Sequence, residues 1–134
     1  MRRTFVDAGV LIAAARGTHE LAEMALGILA DPGREFVSSD FLRLEVTPKA
    51  IYHGRGAETD FYERFFRGVI YWATDFEEII KDAQAKASTF GLGAMDALHV
   101  AAAEYAGASE LVTTEKPTKP IHRVTGVSVV CLYP

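Results

Sequence analysis

The sequence predicts an α/β protein, a three-layer α/β/α sandwich around a central, mainly parallel five-stranded sheet. Two observations predict it. Short apolar runs of strand length alternate with longer stretches of helical periodicity along the whole chain. Strands joined through helices need crossover connections, which make neighbouring strands parallel and cover both sheet faces. The 134 residues suffice for a substantial core, and no repeat, low-complexity tract or linker divides them. One domain over residues 1–134 is therefore expected.

The elements follow in order. Arg3 to Asp7 is a short apolar strand and Ala8 to Ala15 is helical. His19 to Ala30 is a stronger helix, with Leu21, Met24, Ala25, Ile28 and Leu29 on one side, and Asp31-Pro32-Gly33 turns the chain. Glu35 to Ser38 is the second strand. Ser39 or Asp40 caps a helix reaching Tyr52, in which Pro48 removes the donor to Leu44. His53-Gly54-Arg55-Gly56 breaks it. Ala57 to Arg67 is a helix bearing Phe61, Tyr62, Phe65 and Phe66, whose rings serve the core or an interface. Val69 to Ala73 is the third strand, and Asp75 caps a helix to Phe90. Gly93 caps an alanine-rich helix over Ala94 to Ala106, which Gly107 ends. Glu110 to Thr113 and Val127 to Leu132 are the last two strands.

Bulk composition narrows the classes. A formal net charge of −4 and a sequence pI near 5.5 argue against indiscriminate coating of nucleic acid, while leaving room for a local basic groove. The single cysteine, Cys131, forms no intrachain disulfide and fits a reducing cytoplasm. No apolar run has membrane-spanning length, and MRRTFVDAG reads as a strand rather than a leader.

Acidic residues in apolar surroundings carry the chemistry. Asp7 stands in FVDAGVLIAAA, Glu45 in FLRLEVTPKA and Asp96 in GLGAMDALHVAAAEYAGA; Glu115 closes the run LVTTE. A carboxylate among apolar neighbours is costly unless paired, and no cation matches these in sequence. A hard divalent cation takes such oxygen ligands. Each residue also has a plainer reading. Asp7 between strand and helix reads as an N-cap, Glu45 as a solvent-facing glutamate, and Asp96 as an acid favoured by the helix dipole. In a parallel sheet, however, Asp7 and Glu115 fall at the carboxyl rim, where such folds bind ligands. His99, one turn after Asp96, reads as a core residue or a support for a ligand; no second histidine stands at zinc-binding spacing. GLGAMD lacks the third glycine of a dinucleotide fingerprint and follows a helix, which rejects that reading. The stretch Lys116-Pro117-Thr118-Lys119-Pro120-Ile121-His122-Arg123 is a solvated loop or a phosphate-backbone contact through Lys116 and Lys119.

Taken in order, FVDAGVLIAA, LRLEV, MDALHVAAA and LVTTE resemble the PIN domain of metal-dependent ribonucleases, and most closely the small VapC-like toxins of toxin–antitoxin pairs. DALHVAAA is the most specific part. Two positions depart from the pattern: Ala8 replaces a small hydroxyl residue and Glu115 replaces the commoner aspartate. The resemblance implies RNA phosphodiester hydrolysis at a Mg²⁺ or Mn²⁺ site held by Asp7, Glu45 and Asp96, with Glu115 as a conditional fourth catalytic acid. It further implies a cytoplasmic protein, a homodimer and a small antitoxin partner. The chemistry suits the residues, because carboxylate-held ions activate water, neutralise phosphate charge and stabilise the leaving oxygen. Single-stranded loops of structured RNA expose their bases for selective cutting. The alternative is a PIN-like module that binds RNA or protein without cutting. A phosphoacceptor receiver domain needs an acidic pair after its first strand, which the lone Asp7 does not provide.

Overall fold

The computed structural model describes residues 1–17 and 19–133. The elements run β1 (Arg2–Val6), α1 (Ala8–Arg16), α2 (Glu20–Leu29), β2 (Arg34–Ser38), α3 (Asp40–Tyr52), α4 (Gly56–Arg67), β3 (Tyr71–Trp72), α5 (Phe76–Phe90), α6 (Ala94–Tyr105), β4 (Glu110–Thr113) and β5 (Ser128–Cys131). A single 3₁₀ turn, Pro120–Arg123, precedes β5. The expected alternation is thus present, with ends shifted by a residue or so. The largest difference is β3, which is two residues long where Val69 to Ala73 was expected. It lies at the sheet edge, in register with Val37 and Ser38 of β2, so little ladder holds a longer strand.

Among the described residues all strand pairings are parallel, in the order β3-β2-β1-β4-β5. The chain first moves outward from β1 through β2 to β3, then returns past β1 to β4 and β5. Two cores flank the sheet. Val6 and Val112 face one, filled by Val10, Leu11, Leu42 and Tyr62. Phe5 and Leu111 face the other, filled by Ile79, Ala97, Val100 and Ala101. Successive strand residues alternate between faces, which separates Phe5 from Val6. Helices α1, α2 and α4 thus cover one face and α5 and α6 the other, as crossovers of one hand require when the strand order reverses. The reversal places a switch point between β1 and β4, at the carboxyl edge.

Local chemistry fixes the boundaries around that point. Asp7 has extended backbone (φ −85°, ψ 177°) and its side chain accepts from the Val10 N–H, so it caps α1. Gly91 ends α5 in the left-handed region at φ +71°, a conformation that glycine adopts at low cost. Helix α3 continues through Pro48 to Tyr52. Of the aromatic set on α4, Tyr62 and Phe66 are buried and Phe61 and Phe65 pack against the same core, so these rings do not form an exposed face. No helix among the described residues is long and apolar enough to cross a membrane.

Candidate active site

Four acids from different parts of the chain meet at the carboxyl edge. Asp7, Glu45, Asp96 and Glu115 line one small cavity of about 70 Å³, together with Ala8, Gly9, His99 and Thr114. Asp7 arrives from the end of β1, Glu45 from the middle of α3, Asp96 from the first turn of α6 and Glu115 from just past β4. Helix α3 packs mainly into one core through Leu42, Val46 and Ala50, with Phe41 reaching the other core, to which α6 belongs. Glu45 and Asp96 therefore approach from opposite faces and meet over the rim.

Asp7 is the deepest of the four, at 6% exposure. Its Oδ1 accepts from the Val10 N–H at 3.3 Å and its Oδ2 accepts from the Thr113 hydroxyl at 2.5 Å. Burial pushes its carboxyl up to about 6, against the opposing pull of those two hydrogen bonds; the charge on Asp96 adds to the rise. The capping role and the site role therefore coexist in one side chain, with one oxygen assigned to the backbone. Asp96 is also raised, first by burial and then by the negative charges of Glu115 and Glu45.

Glu45 is held by His99, whose Nε2 lies 2.6 Å from Oε1. On a helical wheel Glu45 falls with Phe41 and Tyr52 on an apolar side. In the fold Phe41 packs against the core, but Tyr52 is 84% exposed, and the Glu45 side chain sits between at 34%. Glu115 is placed by its backbone: its N–H donates to Thr113 Oγ1 at 3.1 Å, and its carbonyl accepts from Cys131 Sγ at 3.2 Å and contacts His122 Nε2 at 2.9 Å. Lys116 and Lys119 are exposed on the following loop, with the Lys116 ammonium 5.7 Å from the Tyr133 ring centre.

Sequence reasoning missed three residues here. Thr113 joins Asp7 to the Glu115 backbone, and supplies the hydroxyl contact on Asp7 that Ala8 cannot make. Gly9 lets the loop after β4 approach α1: a Cβ there stands 2.0 Å from Thr114 Oγ1. Thr114 is the third. A glycine in the first turn of a helix, costly by propensity, was the available signal for Gly9. Nothing in LVTTE marked which threonine turns toward Asp7.

The donor set suits a hard divalent cation. It consists of carboxylate oxygens, and the rise at Asp7 and Asp96 records burial and crowded negative charge that a cation relieves. Among the described residues, no three acidic, imidazole or thiol groups already stand close enough to grip one ion. The cavity therefore gathers ligands in an open arrangement. A larger groove of about 570 Å³ lies between α3 and α5, lined by apolar side chains including Phe41, Leu44, Phe76 and Ile80, away from these acids.

The chain's residues 4–117 match the family model of the PIN domain. The chain belongs to the PIN domain family. Solved structures share its fold. A toxin–antitoxin complex from Klebsiella pneumoniae superimposes with a TM-score of 0.70 at 21% identity, covering 97% of this chain and 98% of that one. VapBC2 from Rickettsia felis, bound to a DNA fragment from its promoter, gives 0.70 at 14% identity over 95% and 96%. DNA-bound VapBC from Salmonella typhimurium gives 0.70 at 16% identity over 99% and 100%. A sequence comparison with curated proteins yields no match.

Proposed function

We propose that residues 1–134 form one PIN domain acting as a divalent-metal-dependent endoribonuclease, the toxin of a toxin–antitoxin pair. The observation that carries this reading is the convergence of Asp7, Glu45, Asp96 and Glu115 on one cavity at the switch point between β1 and β4. Asp7, Glu45 and Asp96 are the metal ligands in this reading. Bound Mg²⁺ or Mn²⁺ supplies an activated water and offsets phosphate charge. The chain's own residues do the rest. Thr113 and the Val10 N–H hold both Asp7 oxygens in place. Glu115, anchored through its backbone, orients the attacking water with its free carboxylate. Lys116 and Lys119 steer the RNA backbone, and the exposed bases of a single-stranded loop supply selectivity.

A small antitoxin is the proposed protein partner, in line with the complexes named among the structural neighbours. A homodimer in the cytoplasm completes the reading. The competing reading, a PIN module that binds RNA or protein without cutting, draws on the open spacing of the acids. One assay decides. Purified protein is incubated with a structured RNA bearing single-stranded loops, with Mn²⁺ and then with chelator. Cleavage in Mn²⁺ alone, lost by about 100-fold or more in Asp7→Asn and Asp96→Asn, is the expected result, since each variant removes a charged ligand. Cleavage by both variants at the wild-type rate overturns the mechanism.

A further inference from the structure

We infer that His99 is a positioning residue for Glu45, fixing one carboxylate oxygen so that the other faces the cavity; this rests on the metal-site reading above. His99 projects from the buried side of α6, at 1% exposure, with its ring 5.8 Å from that of Phe5. Its Nε2 lies 2.6 Å from Glu45 Oε1, while its Nδ1 is buried with no hydrogen-bond partner among the described residues. A proton on Nδ1 alone leaves a buried N–H unpaired and sets two lone pairs against each other at Glu45. The ring proton therefore belongs on Nε2, and His99 donates to Oε1.

The surroundings explain why a histidine stands here. Neighbouring Val100, Ala101, Ala102 and Ala103 are buried and apolar, so burial against Phe5 does not by itself call for an imidazole. Among the described residues, the only hydrogen bond this imidazole makes is the one to Glu45. Glu45 itself comes from α3, on the far side of the rim, through a long flexible side chain. The bond therefore joins the two layers at the site and selects one Glu45 rotamer from several. Partners of this kind, which orient a ligand without touching the ion, typically change metal affinity by about 10–100-fold when lost.

The test measures Mn²⁺ affinity of the metal-free protein by the electron paramagnetic resonance signal of unbound Mn²⁺. His99→Leu is expected to weaken binding by about 10–100-fold. His99→Gln, whose amide nitrogen reaches toward the Nε2 position, is expected to restore most of it. In a Glu45→Gln background, His99→Leu should add no further loss, because the group it positions is gone. Long-range ¹H–¹⁵N spectra of the metal-free protein should show the Nε2–H tautomer. Wild-type affinity in His99→Leu, with only its melting temperature lowered, overturns the inference and leaves His99 a packing residue. So does an independent loss in the Glu45→Gln background, or an Nδ1–H tautomer. If Glu45→Gln and Asp96→Asn also bind Mn²⁺ like wild type, the metal-site reading falls and carries this inference with it. If those two lose the ion and His99→Leu keeps it, only this inference falls.

Discussion

Replacing Asp7 by asparagine should stabilise the metal-free protein at neutral pH, although it removes a proposed ligand. Burial raises the Asp7 carboxyl from 3.8 to about 6 in the fold. A raised carboxyl binds its proton more tightly folded than unfolded, so its ionisation works against folding. The penalty is absent below the unfolded value, grows between about pH 4 and 6, and is complete above that window. At about 1.4 kcal/mol per unit it reaches about 3 kcal/mol. The neutral amide of Asp7→Asn escapes it and keeps an acceptor for the Val10 N–H, but the Thr113 hydroxyl must turn to accept instead of donate, at a cost of about 1 kcal/mol. The balance is about 2 kcal/mol in favour of the variant at pH 7.5, or a rise in Tm of roughly 6–10 °C for a chain of this size. At pH 4 most of the penalty is gone, and the sign reverses because the weakened hydrogen bond outweighs the small part that remains. Urea melts in chelator at both pH values read the two differences. A wild-type advantage at pH 7.5, or a gap that does not change with pH, refutes the reasoning. Mn²⁺ at a hundredfold excess over Kd should then stabilise the wild type by about 2.7 kcal/mol and reverse the order at pH 7.5 by a net of about 0.7 kcal/mol, since only the wild type retains all its ligands.

Three further outcomes follow from the geometry. Glu115→Gln should lower RNA cleavage less than Asp96→Asn does and leave Mn²⁺ binding nearly intact, because in this reading it orients water without holding the ion; calorimetric Mn²⁺ titration of both variants checks the ranking. Gly9→Ala should cost about 1–3 kcal/mol in denaturant melts, because its Cβ meets Thr114 Oγ1 at 2.0 Å, and Thr114→Ala in the same chain should recover part of that. At the other end of the sheet, Arg34 donates to Glu110 at 2.6 Å, as does Thr4, and both members of the ion pair are largely buried. Arg34→Ala should cost up to about 3 kcal/mol, because it leaves the buried Glu110 charge with Thr4 and the more distant, exposed Arg2 at 3.5 Å, without altering Mn²⁺ affinity. Burial opposes ionisation of Glu110, but the Arg34 and Thr4 hydrogen bonds outweigh it and hold its carboxyl below the ordinary value. The wild-type pair therefore loses its contribution only as pH falls through that lowered value, and the variant's deficit should shrink in acid.

Much of the architecture was legible before any coordinates. Apolar runs of period two and helical stretches of period 3.6 are local properties, so the alternation and the parallel sheet followed from them. FVDAGVLIAA and MDALHVAAA also carried the family resemblance, because each motif lies within one strand–helix junction or one helix. The weakest element was the third strand, whose length depends on an edge pairing with β2 that no local pattern encodes. The aromatic set on α4 could be read as core or interface until the fold turned all four rings inward. Tertiary structure alone decided how the acids are dressed. Thr113 reaches Asp7 across 106 residues of sequence, and His99 reaches Glu45 across 54. The raised carboxyls of Asp7 and Asp96 likewise depend on how much water the packed rim excludes. Residue type and spacing determine which groups the chain carries to the carboxyl edge. Distance, burial and hydrogen-bond partner arise only when strands separated in sequence lie side by side, because desolvation and charge act through space.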